Sequence, residues 1–330
     1  MLNIIESNSI KFMKKGKPKE ALNIRLESSL PSMHFLITGG SGFIGSNLAR
    51  ALNALGHRIT ILSRNPNKAR KEFIEPIQCV KRIEANKSYD VIINLAGESI
   101  TNGRWTQAKK KALYESRLNI TNEILNYVKL TDNKPKLLLS GSAIGIYGTS
   151  LEKTFTEHST IENGSMAQDL CIQWENAARQ IEELGVRTCY LRTGLVLGYG
   201  GILSKLFLPF KIGLGGKLGQ GNQWMSWIHI QDWLNIVGLL ISDISLSGPI
   251  NLTAPNPVTN SEFTSTLGQT LNRFTIFNVP SVLLKLGLGE MADEILLKGQ
   301  KVLPEKMLNK GFKFKFITLN HALENILNKT

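Results

Sequence analysis

The sequence predicts an α/β fold: a doubly wound, Rossmann-type parallel sheet carrying a smaller, mixed C-terminal lobe. Three observations lead there. Short apolar runs alternate with stretches of helical period, a glycine turn joins the first run to the first helix, and the texture changes after residue 198. His34 to Ile37 is an apolar run before glycines, the signature of a buried strand. Ile44, Leu48, Leu52 and Leu55 then recur at helical spacing, and Gly56 offers a C-cap. Arg58 to Leu62 reads as a second strand, which completes a βαβ unit and so implies parallel pairing. The segments 90–97, 135–143 and 186–198 read as further buried strands, with helical patterns over 105–130 and 166–184 between them.

From 199 onward a glycine-rich run, "GLGGKLGQGNQWMSW" (213–227), leads into mixed segments. These end in "GFKFKF", where Phe312, Phe314 and Phe316 alternate as on a strand. The expected organisation is a tail or over-long start over 1–32, a nucleotide-type domain over 33–198 and a smaller lobe over 199–330, with sheet elements shared between the last two. The first 32 residues hold six Lys/Arg against three Glu, with no compact apolar stretch of the kind a secretory signal needs.

Hydrophobic residues make up 42% and charged residues 20% of the 330, an ordinary balance for a globular protein. No run approaches the roughly 18 apolar residues of a membrane span, so no membrane partner is expected. The net charge of +13 comes from scattered lysines, not from clusters around aromatics, which disfavours nucleic acid and suits phosphorylated small molecules. Cys79, Cys171 and Cys189 have no metal or redox spacing; they read as buried thiols of a reducing, cytoplasmic compartment, and no metal site is expected.

Gly39, Gly42 and Gly45 form G-x-x-G-x-x-G between a strand and a helix. There glycine permits a tight turn, backbone N–H groups can approach a pyrophosphate, and the helix N-terminus adds positive potential. The end of the second strand separates the two nicotinamide dinucleotides, since an acid holds a ribose hydroxyl whereas an arginine suits a 2′-phosphate. Ser63-Arg64 stands there, with no acid before Glu72, which favours NADP(H) over NAD(H).

"TGGSGFIG", "NLAG", "SGSAIGIYG" and "LRTGLVLG", in this order, resemble the extended short-chain dehydrogenase/reductase superfamily. More narrowly, "RWTQAKKKALYESRLNIT", "IQWENAA", "GGKLGQGNQWMSWIHIQD" and "GEMADEILLKGQKVLP" resemble the YfcH-like epimerase family, from Met33 essentially to the C-terminus. The resemblance implies a bound NADP(H), an oxidoreductase or epimerase acting on an unidentified small molecule, and a homodimer as family practice. Some relatives carry a cell-division label. By position, Gly39, Gly42, Phe43, Ile44 and Gly45 match the phosphate loop, and Ser63 and Arg64 the adenosine-phosphate position. Leu95, Ala96 and Gly97, followed by Glu98, match the turn along the cofactor. Asn119 falls where a helix contributes a structural asparagine, and Ser142 is the expected catalytic serine.

One departure stands out. None of the six tyrosines has a lysine four residues later, and the superfamily pattern counted back from Glu175 puts Ala167 and Cys171 where tyrosine and lysine belong. Hydride transfer needs chiefly alignment, and general acid–base help adds about 10²–10⁴-fold, so chemistry can survive the loss. Tyr147 is the provisional acid. Glu157, His158, His229 and Asp232 are further candidates, the last two equally suited to tying the lobe to the sheet. The 213–227 run reads either as a lid or as a packed interface loop. Arg104 and Trp105 read either as an anion site or as a helix start. The alternative to an enzyme is a non-catalytic, NADP(H)-responsive binding protein.

Overall fold

The computed structural model describes residues 22–26, 31–162 and 164–327. Seven strands form the main sheet: β1 (His34–Thr38), β2 (Arg58–Leu62), β3 (Gln78–Val80), β4 (Val91–Asn94), β5 (Leu137–Ala143), β6 (Arg187–Thr193) and β7 (Gly248–Leu252). Their order is β7-β6-β5-β4-β1-β2-β3 and every pairing is parallel. Parallel strands are covered on both faces, which explains why Phe35, Leu36, Ile37, Ile92, Ile93 and Leu139 are buried without alternation. The order reverses between β1 and β4, and the crevice beyond the strand ends at such a switch point is where ligands bind in open α/β sheets.

Four helices position the site. They are α1 (Phe43–Ala54), α2 (Gln107–Leu130), α3 (Met166–Glu182) and α4 (Ile230–Ser242). Helix α1 buries Leu48 and Leu52 as the spacing predicts, while Leu55 lies just past its end and is exposed. Thr106 and Ser165 cap α2 and α3, accepting from Lys109 N and Gln168 N.

The expected strand over 186–198 is two strands, split at Gly194. A Cβ there would sit 2.5 Å from the Ser226 carbonyl. The chain turns at that point, and Leu195–Leu197 leaves the main sheet to pair in parallel with Trp227–His229. Beyond 199, strand β7 returns to the main sheet, so the smaller lobe shares its framework with the nucleotide-type domain. The 312–316 stretch is not a strand. It is an irregular segment that bends at Lys315 and is held by Asp232, which accepts from Lys315 N (2.8 Å) and Phe316 N (2.9 Å).

The tail expected over 1–32 falls largely outside the described residues. Within it, 22–26 runs extended along α4. Ile24 is buried, Asn23 N donates to Gln231 Oε1 (3.2 Å), and Gln231 Nε2 donates back to the Asn23 carbonyl. Among the described residues no helix is long and apolar enough to cross a membrane.

Candidate dinucleotide site

The loop from β1 to α1 is shaped by its glycines. Gly39 has φ +66°, and a Cβ there would lie 2.5 Å from the Leu95 carbonyl oxygen. A Cβ on Gly45 would overlap the Gly39 carbonyl, so that glycine permits close packing of helix on strand. Gly42 is the N-cap of α1, with no side chain capping it and no acid in the first turn. The first N–H groups of a helix lack intrahelical partners, and here they carry the positive end of the dipole with no acid in the first turn to cap them. Phe43 packs its ring against Gly198, Gly200 and Gly201, where Cβ atoms would lie 2.7 to 3.0 Å away. Ile44 packs onto the main core.

At the end of β2, Ser63 Oγ accepts from Asn65 N (3.2 Å), and Asn65 Oδ1 in turn accepts from Lys68 N (3.0 Å). This double turn leaves Arg64 exposed at the rim. Its charge reaches Glu98, whose carboxyl is held below the usual range first by a hydrogen bond from Lys109, and to a smaller degree by Arg64 and Arg117.

That turn is fixed from beneath. Thr38 Oγ1 donates to Asn94 Oδ1 (2.7 Å) and accepts from Ala96 N (3.0 Å), while Asn94 Nδ2 donates to Thr121 Oγ1 (2.9 Å). Arg117 Nη2 donates to the Glu98 carbonyl (3.2 Å), its guanidinium so close under Gly97 that a Cβ there would lie 2.9 Å from Cζ. Lys109 Nζ pairs with Glu98 Oε1 at 2.7 Å. The structural asparagine expected at 119 is exposed; on α2 it is Arg117 and Thr121 that face the sheet.

Ser142 and Tyr147 meet in a buried polar network. Ser142 Oγ donates to Glu175 Oε1 (2.7 Å), and Arg192 grips the same carboxylate through Nε and Nη2, both at 2.8 Å. Arg192 Nη1 donates to Tyr147 Oη (3.0 Å), which donates to Asn251 Oδ1 (2.7 Å). Burial disfavours the Arg192 charge, but bidentate Glu175 more than restores it, so its pKa rises. Burial likewise raises the Tyr147 phenol, with Arg192 and Asn251 pulling it partly back.

Ser142 is 6% and Tyr147 4% exposed. In this arrangement each hydroxyl, including the expected catalytic serine and the provisional acid, donates its proton to an internal acceptor. The Glu175–Arg192 pair was not singled out beforehand. The signal for it was an arginine inside an otherwise apolar strand, which demands a buried partner.

Ala167 and Cys171 lie on the buried face of α3. Burial pushes the Cys171 thiol up to about 12, which leaves no thiolate for chemistry. The space around Ala167 is filled by Trp105, Leu170 and Met291, and Glu294 Oε2 accepts from Ala167 N (3.1 Å). Trp105 is thereby a buried packing residue. Glu157 accepts from Asn251 N (3.0 Å) and tethers the lobe, whereas His158 is exposed.

The 213–227 run is not a lid. Gly216–Leu218 pairs with Phe277–Val279, Trp224–Met225 pairs with Val258–Thr259, and Trp227 is fully buried. His229 caps α4 by accepting from Gln231 N (3.0 Å) and stacks on Phe316 at 3.8 Å, so the pair with Asp232 ties the lobe together.

The groups gathered at the switch point fit a dinucleotide: a cradle that any Cβ would fill, an acid-free helix start, and a cation at the rim. Comparison with known proteins agrees. Residues 35–251 match the NAD dependent epimerase/dehydratase family, and residues 279–326 match a domain of unknown function, DUF1731. The chain is 39% identical over 299 residues to the epimerase family protein YfhF of Bacillus subtilis, covering 89% of this chain and 98% of that one. It is 38% identical over 289 residues to the epimerase family protein Mb2239 of Mycobacterium bovis, covering 87% and 95%. Among solved structures, human epimerase family protein SDR39U1 with NADPH superposes with a TM-score of 0.82 at 32% identity, over 90% of this chain and all of that one. A dTDP-glucose 4,6-dehydratase from Streptomyces venezuelae, with NAD and TYD bound, shares the fold at a TM-score of 0.72 and 20% identity. The chain belongs to the NAD dependent epimerase/dehydratase family and has the Rossmann-type fold of its short-chain dehydrogenase/reductase neighbours.

Proposed function

We propose that this chain is an NADP(H)-dependent oxidoreductase or epimerase acting on a small molecule through a carbonyl or hydroxyl carbon. The observation that carries this is Arg64, an exposed cation at the rim of an intact glycine cradle, where an NAD-specific site would place a carboxylate. The human relative, whose structure was solved with NADPH, supports the same choice. When bound, the nicotinamide supplies or accepts a hydride.

The residues of the chain do the rest. Gly39 to Gly45 and the start of α1 bind the pyrophosphate, Arg64 with Ser63 binds the 2′-phosphate, and Leu95 to Glu98 line the cofactor's path. Ser142 and Tyr147 act as positioning residues: through Glu175, Arg192 and Asn251 they hold the end of β5 rigid beneath the reacting centre. Rate comes chiefly from alignment, since Ala167 and Cys171 offer no proton-transfer pair.

The test is a paired titration with NADPH and NADH, read by tryptophan-to-nicotinamide energy transfer. NADPH should bind at least about tenfold tighter, or about 1.4 kcal/mol, and Arg64→Ala should erase that margin while leaving NADH unchanged. Equal affinities in the wild-type chain would remove the NADP assignment. Substrate-dependent NADPH oxidation, screened over sugar nucleotides, aldehydes and quinones, tests catalysis.

A second reading is favoured by one observation, the apolar plug of Trp105, Leu170 and Met291 around Ala167. It makes the chain a non-catalytic NADP(H)-responsive binding protein. A partner whose affinity differs between the NADP⁺ and NADPH forms would establish it, and equal affinity would end it.

A further inference from the structure

Helix α5 (Ser281–Leu288) buries none of its residues, yet its sequence is SVLLKLGL. An amphipathic helix ordinarily turns its apolar stripe inward, because burying it is what stabilises the helix. Here Val282, Leu283 and Leu286 are exposed at 64%, 61% and 69%. The same surface continues on the preceding segment, where Phe274 and Ile276 are exposed at 86% and 82%, and on Leu214 at 60%.

These are one patch and not scattered positions. Gly216–Leu218 runs parallel to Phe277–Val279, and Arg273 Nε donates to the Lys211 carbonyl (2.8 Å), so 211–218 and 273–279 lie side by side. Helix α5 then follows directly after Pro280. A contiguous exposed apolar area of this kind marks a contact with something outside the chain.

The charge around it identifies what. Residues 201–217 and 263–289 contain Lys205, Lys211, Lys217, Arg273 and Lys285 and no Asp or Glu at all. Lys285 pairs with Asp293, which lies beyond these segments. The Arg273 guanidinium donates to the carbonyls of Lys211 and Asn272, contacts that leave its charge in place. Glu290 and Asp293 lie at the helix's far end, each paired with a lysine. Protruding Phe, Ile and Leu side chains with a predominantly cationic rim suit a bilayer interface, where the apolar groups enter the acyl boundary while the cations meet anionic headgroups. A second copy fits less well, because a twofold contact would bring the same predominantly cationic patch against itself.

We propose that this face docks the protein peripherally on anionic membranes. The chain lies on the bilayer and does not span it, consistent with the absence of a long apolar helix among the described residues. The expectation of no membrane partner rested on span length alone and does not bear on interfacial binding.

The test is co-sedimentation of the full chain with vesicles of phosphatidylcholine alone and of phosphatidylcholine with phosphatidylserine. Binding is expected to the second and not the first, and it should weaken as salt rises. The double variant Leu283→Glu with Leu286→Glu should bind at least about tenfold more weakly. It should keep the wild-type thermal midpoint and NADPH affinity, because neither side chain supports the core. Arg273→Gln should weaken binding to anionic vesicles by a smaller factor. No sedimentation of wild-type chain with phosphatidylserine vesicles, or undiminished sedimentation of the double variant, would overturn the proposal. So would light scattering that shows a dimer which the double variant dissolves, since the face would then be covered by a second copy.

Discussion

Glu175 and Arg192 illustrate how much one side chain can decide. Both are nearly fully buried, joined by two 2.8 Å contacts, and shared with Ser142 and Tyr147. Removing one member of such a pair leaves an uncompensated buried charge, whereas removing both is far less costly. Glu175→Gln should therefore destabilise the protein by roughly 3–5 kcal/mol in urea denaturation; a loss under about 1 kcal/mol would show that Arg192 finds another partner. His34 makes a different point. Its Nδ1 meets the Ser88 carbonyl and its Nε2 the Thr60 hydroxyl, both at 2.9 Å, and burial lowers its pKa below 6.5. A histidine depressed in the fold contributes stability above its unfolded pKa and loses it as pH falls through the folded one. Stability should thus decline as pH drops from about 7 to about 5, and thermal melts of His34→Phe should show that slope flattened. An unchanged slope would place the acid sensitivity elsewhere.

Among the elements, those governed by local rules were legible. The glycine turn announced itself because Gly39 needs a positive φ and Gly45 a close approach, requirements written into single positions. Helices α1, α2 and α3 and the edges of β2 followed from period alone. The break at Gly194 did not, since it is forced by the Ser226 carbonyl, which is 32 positions away (226 − 194). The Glu175–Arg192 contact was equally hidden: residue types pointed to a partner, but only the sheet brings α3 to β6. The 22–26 strap on α4 was not legible because its single buried anchor, Ile24, shows no periodicity. The strap depends on Gly238, where any Cβ would overlap the Arg25 carbonyl. Gly238→Ala should lift the strap while improving the local helix propensity of α4. Limited proteolysis should then cut within 22–26 faster than in the wild-type chain, with the 33–327 body intact; equal rates would mean that α4 shifts instead.

For the molecule as a whole, the division near residue 198 is one of composition more than of folding. Strand β7, from the later half, closes the main sheet against β6. Asn251 on that strand joins Tyr147 to the Leu303 carbonyl, while Glu157 accepts from Asn251 N. Lys301–Val302 pairs with Thr154–Phe155, and Ser226 fixes the first of these strands by donating to the Gln300 carbonyl and accepting from Val302 N. Each lobe thus supplies backbone partners that the other would leave buried and unpaired. Loss of either would expose several such groups, each costing about 1–3 kcal/mol, against a total stability of only about 5–15 kcal/mol. A fragment ending at residue 198 should accordingly fail to fold, and the full chain should unfold in one calorimetric transition whose van't Hoff and measured enthalpies agree. Because the cradle exists only in the folded sheet, saturating NADPH should move that single transition upward as a unit, by about 2.7 kcal/mol at a hundred times its dissociation constant. Two resolved transitions, with only the first half shifted by NADPH, would mean that the lobes fold independently and that the shared network is a contact between finished domains.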